Sequence, residues 1–66
     1  MNKNLFKSKM VLNGDTQASI AEALGVGQQC ISNRLSRGGF SPEDIKIIKE
    51  RWDLTPEDVV AIFIED

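Results

Sequence analysis

Apolar residues recur three and four positions apart along most of the chain, in short stretches that turn-forming pairs separate. This spacing places apolar side chains on one face of a helix, whereas the alternation typical of a strand is absent from the sequence. Asn13-Gly14 and Gly38-Gly39 are the clearest turn signals. The pattern predicts an all-α protein, a compact bundle of about five short helices that forms a single domain over residues 1–66.

The first three predicted helices follow one another closely. The first ends before the Asn-Gly turn. Its apolar stripe consists of Leu5, Phe6, Met10 and either Val11 or Leu12. Asp15-Thr16 supplies an N-cap for the second helix, which Gly25 ends because glycine adopts the left-handed conformation without a steric penalty. The third helix is predicted from about Gln28 to Leu35.

Two later helices begin with the same kind of signal. Residues 41–44 (Ser-Pro-Glu-Asp) and 55–58 (Thr-Pro-Glu-Asp) each place a capping hydroxyl before a proline and two acids. Proline fits the first helical position, and the positive end of the helix dipole favours the acids. Capping therefore explains these paired acids better than a role as catalytic carboxylates. Trp52 and Phe63, which follow these starts, are predicted core residues.

Histidine and tyrosine are absent from the 66 residues, and Cys30 is the only cysteine. Histidine is the commonest general base and metal ligand, so its absence argues against an enzyme. We expect no metal, cofactor or small-molecule ligand, and we expect Cys30 to be a semi-buried filler beside Ile31. The lone cysteine and the lack of an apolar run of membrane-spanning length predict a cytoplasmic protein without a membrane partner.

The net charge of −2 conceals an asymmetry between the two parts of the chain. Residues 1–40 carry five basic and two acidic residues, whereas residues 41–66 carry three basic and eight acidic ones. A basic first part suits a protein that presents one end to DNA. A solvated surface with uneven charge is the simpler alternative.

Residues 16–36 combine the features that two short helices joined by a tight turn require. Ala21 is small where the two helices cross, and four residues later Gly25 supplies the positive φ of the turn. Four aliphatic residues complete a small shared core: Ile20, Leu24, Val26 and Ile31. Together these residues predict a helix-turn-helix unit.

One face of the third helix is polar without being charged. With Ile31 directed inward, steps of about 100° place four residues on one side of the helix. They are Gln28, Gln29, Ser32 and Asn33. Each can donate and accept hydrogen bonds, and a Gln or Asn amide can pair with N6 and N7 of adenine. This face predicts contacts to DNA bases, with a solvated role as the alternative for Asn33.

Contacts to the DNA backbone are predicted for residues around this face. Gln17 begins the preceding helix and can offer both its amide and a positive helix end to a phosphate. Gly27 has only its backbone amide to offer. Arg34 and Arg37 are predicted phosphate contacts, and pairing with an acid is the alternative for both.

Residues 16–36 resemble the helix-turn-helix of the lambdoid phage repressor and Cro family, part of the broad Xre-like group. The matching residues are Gln17, Ala21, Gly25, Gln28, Gln29 and Ile31. The resemblance implies a lambda repressor-like DNA-binding domain. In this family the first glutamine contacts the DNA backbone, while the glutamine pair and the polar residues one turn later read bases in the major groove. This chain departs from the family at Gly27 and Arg34, and it has few basic residues after the third helix.

The resemblance implies a sequence-specific transcriptional regulator, a phage or prophage repressor of Cro size that occupies operator DNA and blocks RNA polymerase. The alternative is a protein-interaction module on the same scaffold, such as an antirepressor or antitoxin, which the acidic last third and the apolar residues 59–64 suggest. Those apolar residues either pack in the core or form a homodimer interface. A homodimer would place two recognition helices about 34 Å apart along double-stranded DNA.

Overall fold

In the computed structural model, which describes residues 1–64, the chain forms five helices, and this part contains no strand. The helices are α1 (Lys3–Leu12), α2 (Gln17–Leu24), α3 (Gln28–Asn33), α4 (Pro42–Arg51) and α5 (Pro56–Val59). A single wider π turn follows α3 at Arg34–Gly38, and another follows α5 at Val60–Ile64. The predicted all-α architecture of about five short helices is confirmed.

Three helices begin where the sequence predicts them, with the predicted caps. The side-chain oxygens of Thr16, Ser41 and Thr55 each accept a hydrogen bond from the backbone N–H three residues later. At α5 the carboxylate of Asp58 accepts from the Thr55 N–H in return, and this bond lowers the pKa of Asp58. Of these acids, Asp58 is therefore engaged in capping, as expected, whereas the carboxylate of Asp44 accepts a hydrogen bond from Arg34.

The third helix is shorter than predicted. It ends at Asn33, and the next residues widen into a π turn in which the Gly39 N–H donates to the Arg34 carbonyl at 2.9 Å. Gly39 has a φ of 73°, which a residue with a Cβ rarely adopts. The positive φ of Gly39 therefore ends the helical backbone directly after this turn.

The core is apolar, and four aromatic rings pack together within it and against it. It consists of Phe6, Met10, Ile20, Ala21, Ile31, Leu35, Ile48, Trp52, Leu54 and Ile62, all buried. The ring centre of Phe6 lies 5.2 Å from those of Phe40 and Trp52 and 6.1 Å from that of Phe63. Phe63 is partly buried against this cluster. The predicted core placement of Trp52 and Phe63 is confirmed.

The apolar stripe predicted for α1 is too wide. Phe6 and Met10, one turn apart, face the core, whereas Val11 and Leu12 are 72% and 76% exposed. Val11 and Leu12 are rotated about 100° and 200° from Met10 around the helix. Helix α1 ends at Leu12, and within residues 1–64 no neighbouring helix covers Val11 or Leu12.

Asp15 joins the connection between α1 and α2 to the end of α4. Its carboxylate accepts two hydrogen bonds from Arg51, at 2.8 and 2.9 Å, one from Trp52 Nε1 at 2.6 Å and one from Ser19 Oγ at 2.8 Å. The bonds from Arg51, with those from Trp52 and Ser19, hold the pKa of Asp15 well below its usual range although burial acts to raise it. Local sequence patterns indicated only a capping role here.

The turn after α2 yields a test of local backbone geometry. Gly25 has φ 71° and ψ 31°, and a Cβ placed on it would meet no atom within 4 Å. Gly25→Ala should therefore lower the free energy of unfolding by about 1 kcal/mol through backbone strain alone. Gly38→Ala is the matched control, because Gly38 has equal space and no positive φ. Urea unfolding measures both; equal effects would contradict the assigned strain.

Candidate nucleic-acid interface

The α2 and α3 helices pack against each other across a three-residue turn, residues 25–27. Ala21 is buried where the helices meet, and its carbonyl accepts a hydrogen bond from the Val26 N–H at 2.9 Å. Ile20 and Ile31 are fully buried, and Leu24 and Val26 are partly buried against them. The small shared core predicted for these two helices is present.

Burial of Ile31 turns one side of α3 outward. We call this side the α3 polar face; it consists of Gln28, Gln29, Ser32 and Asn33. All four residues are exposed. Within residues 1–64, none of their side chains hydrogen-bonds to another residue. Four groups that can donate and accept therefore lie side by side with their hydrogen-bonding capacity available to an external molecule.

Two further candidates lie at helix starts. Gln17 is the first residue of α2 and is half-buried, directly after the Thr16 cap. Gly27 precedes α3 with an extended backbone (φ −74°, ψ 153°), is exposed, and provides no side-chain cap for that helix. Gly27 thus directly precedes the helix that carries the α3 polar face, whereas Gln17 lies at the end of α2 that is farther from the turn.

The two arginines after α3 have different surroundings. Arg34 is half-buried, forms an ion pair with Asp44, and lies 6.0 Å from the centre of the Phe40 ring. Arg37 is exposed and pairs with no acid among residues 1–64. Pairing with an acid, the alternative that the sequence left open for both residues, is therefore found for Arg34.

Cys30 also lies on α3, and the prediction that it is a semi-buried filler is wrong. Its thiol is free and the residue is exposed. Cys30 is about 100° from Ile31 around the helix, and α3 buries only Ile31. The spacing of Ile31 and Leu35 could have indicated this, because it sets an inward stripe that excludes Cys30.

Among residues 1–64, three ion pairs join the two oppositely charged parts of the chain. They are Lys9–Asp58 at 4.0 Å, Arg51–Asp15 at 2.8 Å, and Arg34–Asp44. In residues 1–40 this leaves Lys3, Lys7 and Arg37 exposed and without an acidic partner among the described residues. Internal pairing thus engages two of the five basic side chains in residues 1–40, and three remain available to a polyanion.

No group of three or more His, Cys, Asp or Glu in the described part of the chain is placed to hold a metal ion. None of the helices in residues 1–64 has the length and apolar character of a membrane span.

No protein-family model, curated protein or solved structure matches this chain. The resemblance to phage repressors rests on residues 16–36, and membership of that family stays a prediction.

Proposed function

We propose that this chain is a sequence-specific DNA-binding transcriptional regulator that reads base edges in the major groove with the α3 polar face. The observation that carries this proposal is the composition of that face. It holds two glutamines, a serine and an asparagine, all exposed and none hydrogen-bonded within the described chain. A solvated helix face ordinarily carries charged side chains, whereas uncharged amides and hydroxyls suit the donor and acceptor pattern of base edges.

The dimensions of the face suit a duplex. A helix with its side chains, about 10–12 Å across, enters the major groove, which is about 12 Å wide. Gln28 and Gln29 at the start of α3 would contact bases first, with Ser32 and Asn33 one turn later. Gln17 and Arg37 would contact phosphates on either side, and the Gly27 amide would add a backbone contact. These phosphate contacts would fix the position of α3 along the major groove.

At the level of biological role, we propose a repressor of Cro size that acts on operator DNA, with two copies bound to adjacent half-sites. Two recognition helices related by a two-fold axis would then meet successive major grooves about 34 Å apart. The net charge of −2 and the engagement of three of the eight basic side chains in ion pairs imply modest non-specific attraction, so base contacts would carry a large part of the affinity.

A second candidate function is a protein-interaction module, such as an antirepressor or antitoxin. It is favoured by the acidic residues 41–66 together with exposed apolar side chains, among them Val60 and Ile64 in the last π turn. An acidic, partly apolar surface suits a basic protein partner better than a polyanion.

Selection of bound duplexes from a random pool, followed by a salt titration on the recovered duplex, tests the proposed function. We expect one common sequence, arranged as an inverted repeat if two copies bind together. The logarithm of the binding constant should fall linearly with that of the salt concentration, by about 0.9 per phosphate contact. Absence of binding, or equal binding to every duplex at low ionic strength, would exclude this function in favour of the second candidate.

A further inference from the structure

Arg34, the first residue after α3, is held by the helix that follows. Its Nη1 donates a hydrogen bond to Oδ2 of Asp44, and its guanidinium carbon lies 6.0 Å from the centre of the Phe40 ring. The Arg34 side chain is 32% exposed and that of Asp44 is 14% exposed. The pair is therefore better shielded from solvent than an ordinary surface ion pair.

Both partners of Arg34 are themselves anchored. The Asp44 N–H donates to Ser41 Oγ at 3.3 Å in the first turn of α4. The Phe40 ring stacks on that of Phe6, which is fully buried, with 5.2 Å between ring centres. The guanidinium thus connects the end of α3 to the start of α4 and to the aromatic core.

The segment that Arg34 spans has little stiffness of its own. Gly38 and Gly39 lie between α3 and α4, and glycine restricts the backbone less than any other residue. The position of the end of α3 relative to α4 therefore depends on contacts across this segment. The ion pair between Arg34 and Asp44 is such a contact.

Arg34 also lies away from the α3 polar face. At about 100° per residue, it is displaced by about 100° or more around the helix axis from Gln28, Gln29, Ser32 and Asn33. A phosphate beside that face would have to draw the guanidinium away from a largely buried carboxylate. Neither the direction of Arg34 nor its partner favours a contact to DNA.

On the premise of the proposed function, we infer that Arg34 is a positioning residue and not a ligand of the DNA backbone. Together with Asp44 it holds the end of α3 at the angle at which the α3 polar face meets the base pairs. Sequence discrimination depends on this angle, because bidentate hydrogen bonds to base edges tolerate little displacement.

Arg34→Gln and Asp44→Asn distinguish a positioning role of Arg34 from a phosphate-binding role. The two roles predict opposite effects of Asp44→Asn on DNA binding. For a positioning pair, each change should lower the preference for the selected duplex over one with a changed base pair by roughly 3- to 10-fold. The salt slope should stay unchanged, and the double variant should lose no more than either single one. If Arg34 binds phosphate, Asp44→Asn should instead release it and raise the affinity for every duplex.

Two matched variants serve as controls. Glu43→Gln removes a neighbouring acid from the first turn of α4 without touching the ion pair, and should leave the preference unchanged. Arg37→Gln removes an exposed, unpaired arginine and should lower the salt slope by about 0.9 on all duplexes alike. All measurements are made at a temperature at which each variant is fully folded.

Three results would overturn the inference. The first is a lower salt slope for Arg34→Gln, and the second is a gain in affinity for Asp44→Asn. The third is unchanged DNA preference in both folded variants, which indicates a purely structural pair. If the unaltered chain binds no DNA, the proposed function fails, and amide hydrogen exchange then tests the positioning of α3 by itself. Both variants should exchange α3 amides faster than Glu43→Gln does, and equal rates would refute the positioning role.

Discussion

Asp15→Asn should lower the free energy of unfolding by about 2–3 kcal/mol, a large share of the stability of so small a domain. The carboxylate is only 8% exposed and accepts hydrogen bonds from Arg51, Trp52 and Ser19. An asparagine keeps the shape of the side chain but loses the charge and places an N–H₂ group against donors. Thermal unfolding should show a midpoint lower by roughly 10–20 °C.

The same substitution at Asp53 is the matched control. Asp53 is exposed, and its φ of 51° suits asparagine, so Asp53→Asn should change the free energy of unfolding by less than about 0.5 kcal/mol. Equal destabilisation by the two variants would contradict the role assigned to the Asp15 hydrogen bonds.

Acid should reduce the difference in the free energy of unfolding between the unaltered chain and the Asp15→Asn variant. Because the folded-state pKa of Asp15 is lowered, its ionised form contributes stability that is complete above the unfolded-state pKa of about 3.9. That contribution is lost as the pH falls from there toward the folded-state pKa. Urea unfolding should therefore show a constant difference from pH 5 to 8 and a smaller one below pH 4. A difference that does not change with pH would argue against ionisation as its source.

Replacing both Gln28 and Gln29 with alanine should abolish most sequence-specific DNA binding. Each bidentate amide contact to a base contributes about 1–3 kcal/mol of discrimination, so each single change should weaken binding to the selected duplex by roughly 5- to 150-fold. Binding to unrelated duplexes should change little, because these side chains carry no charge. Fluorescence anisotropy with selected and scrambled duplexes measures the two affinities separately.

Folding and recognition can be separated in this experiment. Both glutamines are exposed on α3, and alanine has the highest helix propensity, so the double variant should remain folded. Asn4→Ala, which removes an exposed amide from α1, is the matched control and should leave DNA binding unchanged. If the double variant retains full affinity and preference for the selected duplex, the α3 polar face does not read the bases.

Features that depend on neighbours in the sequence were predictable from it. The starts of α2, α4 and α5 were predicted because a hydroxyl side chain needs only the backbone N–H three residues later. The end of α2 at Gly25 was predicted because the left-handed conformation is a property of that residue alone. The spacing of Ala21 and Ile31 likewise indicated which sides of α2 and α3 are buried.

Features that depend on distant residues were decided only by the tertiary structure. Asp15 and Arg51 are 36 positions apart, so no local pattern links them, and the same holds for the anchoring of Arg34 by Asp44 and Phe40. Exposure of Val11 depends on which helix covers the end of α1. Hydrophobic periodicity identifies a side of a helix, whereas burial and ion pairing require a second element, and its placement is a property of the whole fold.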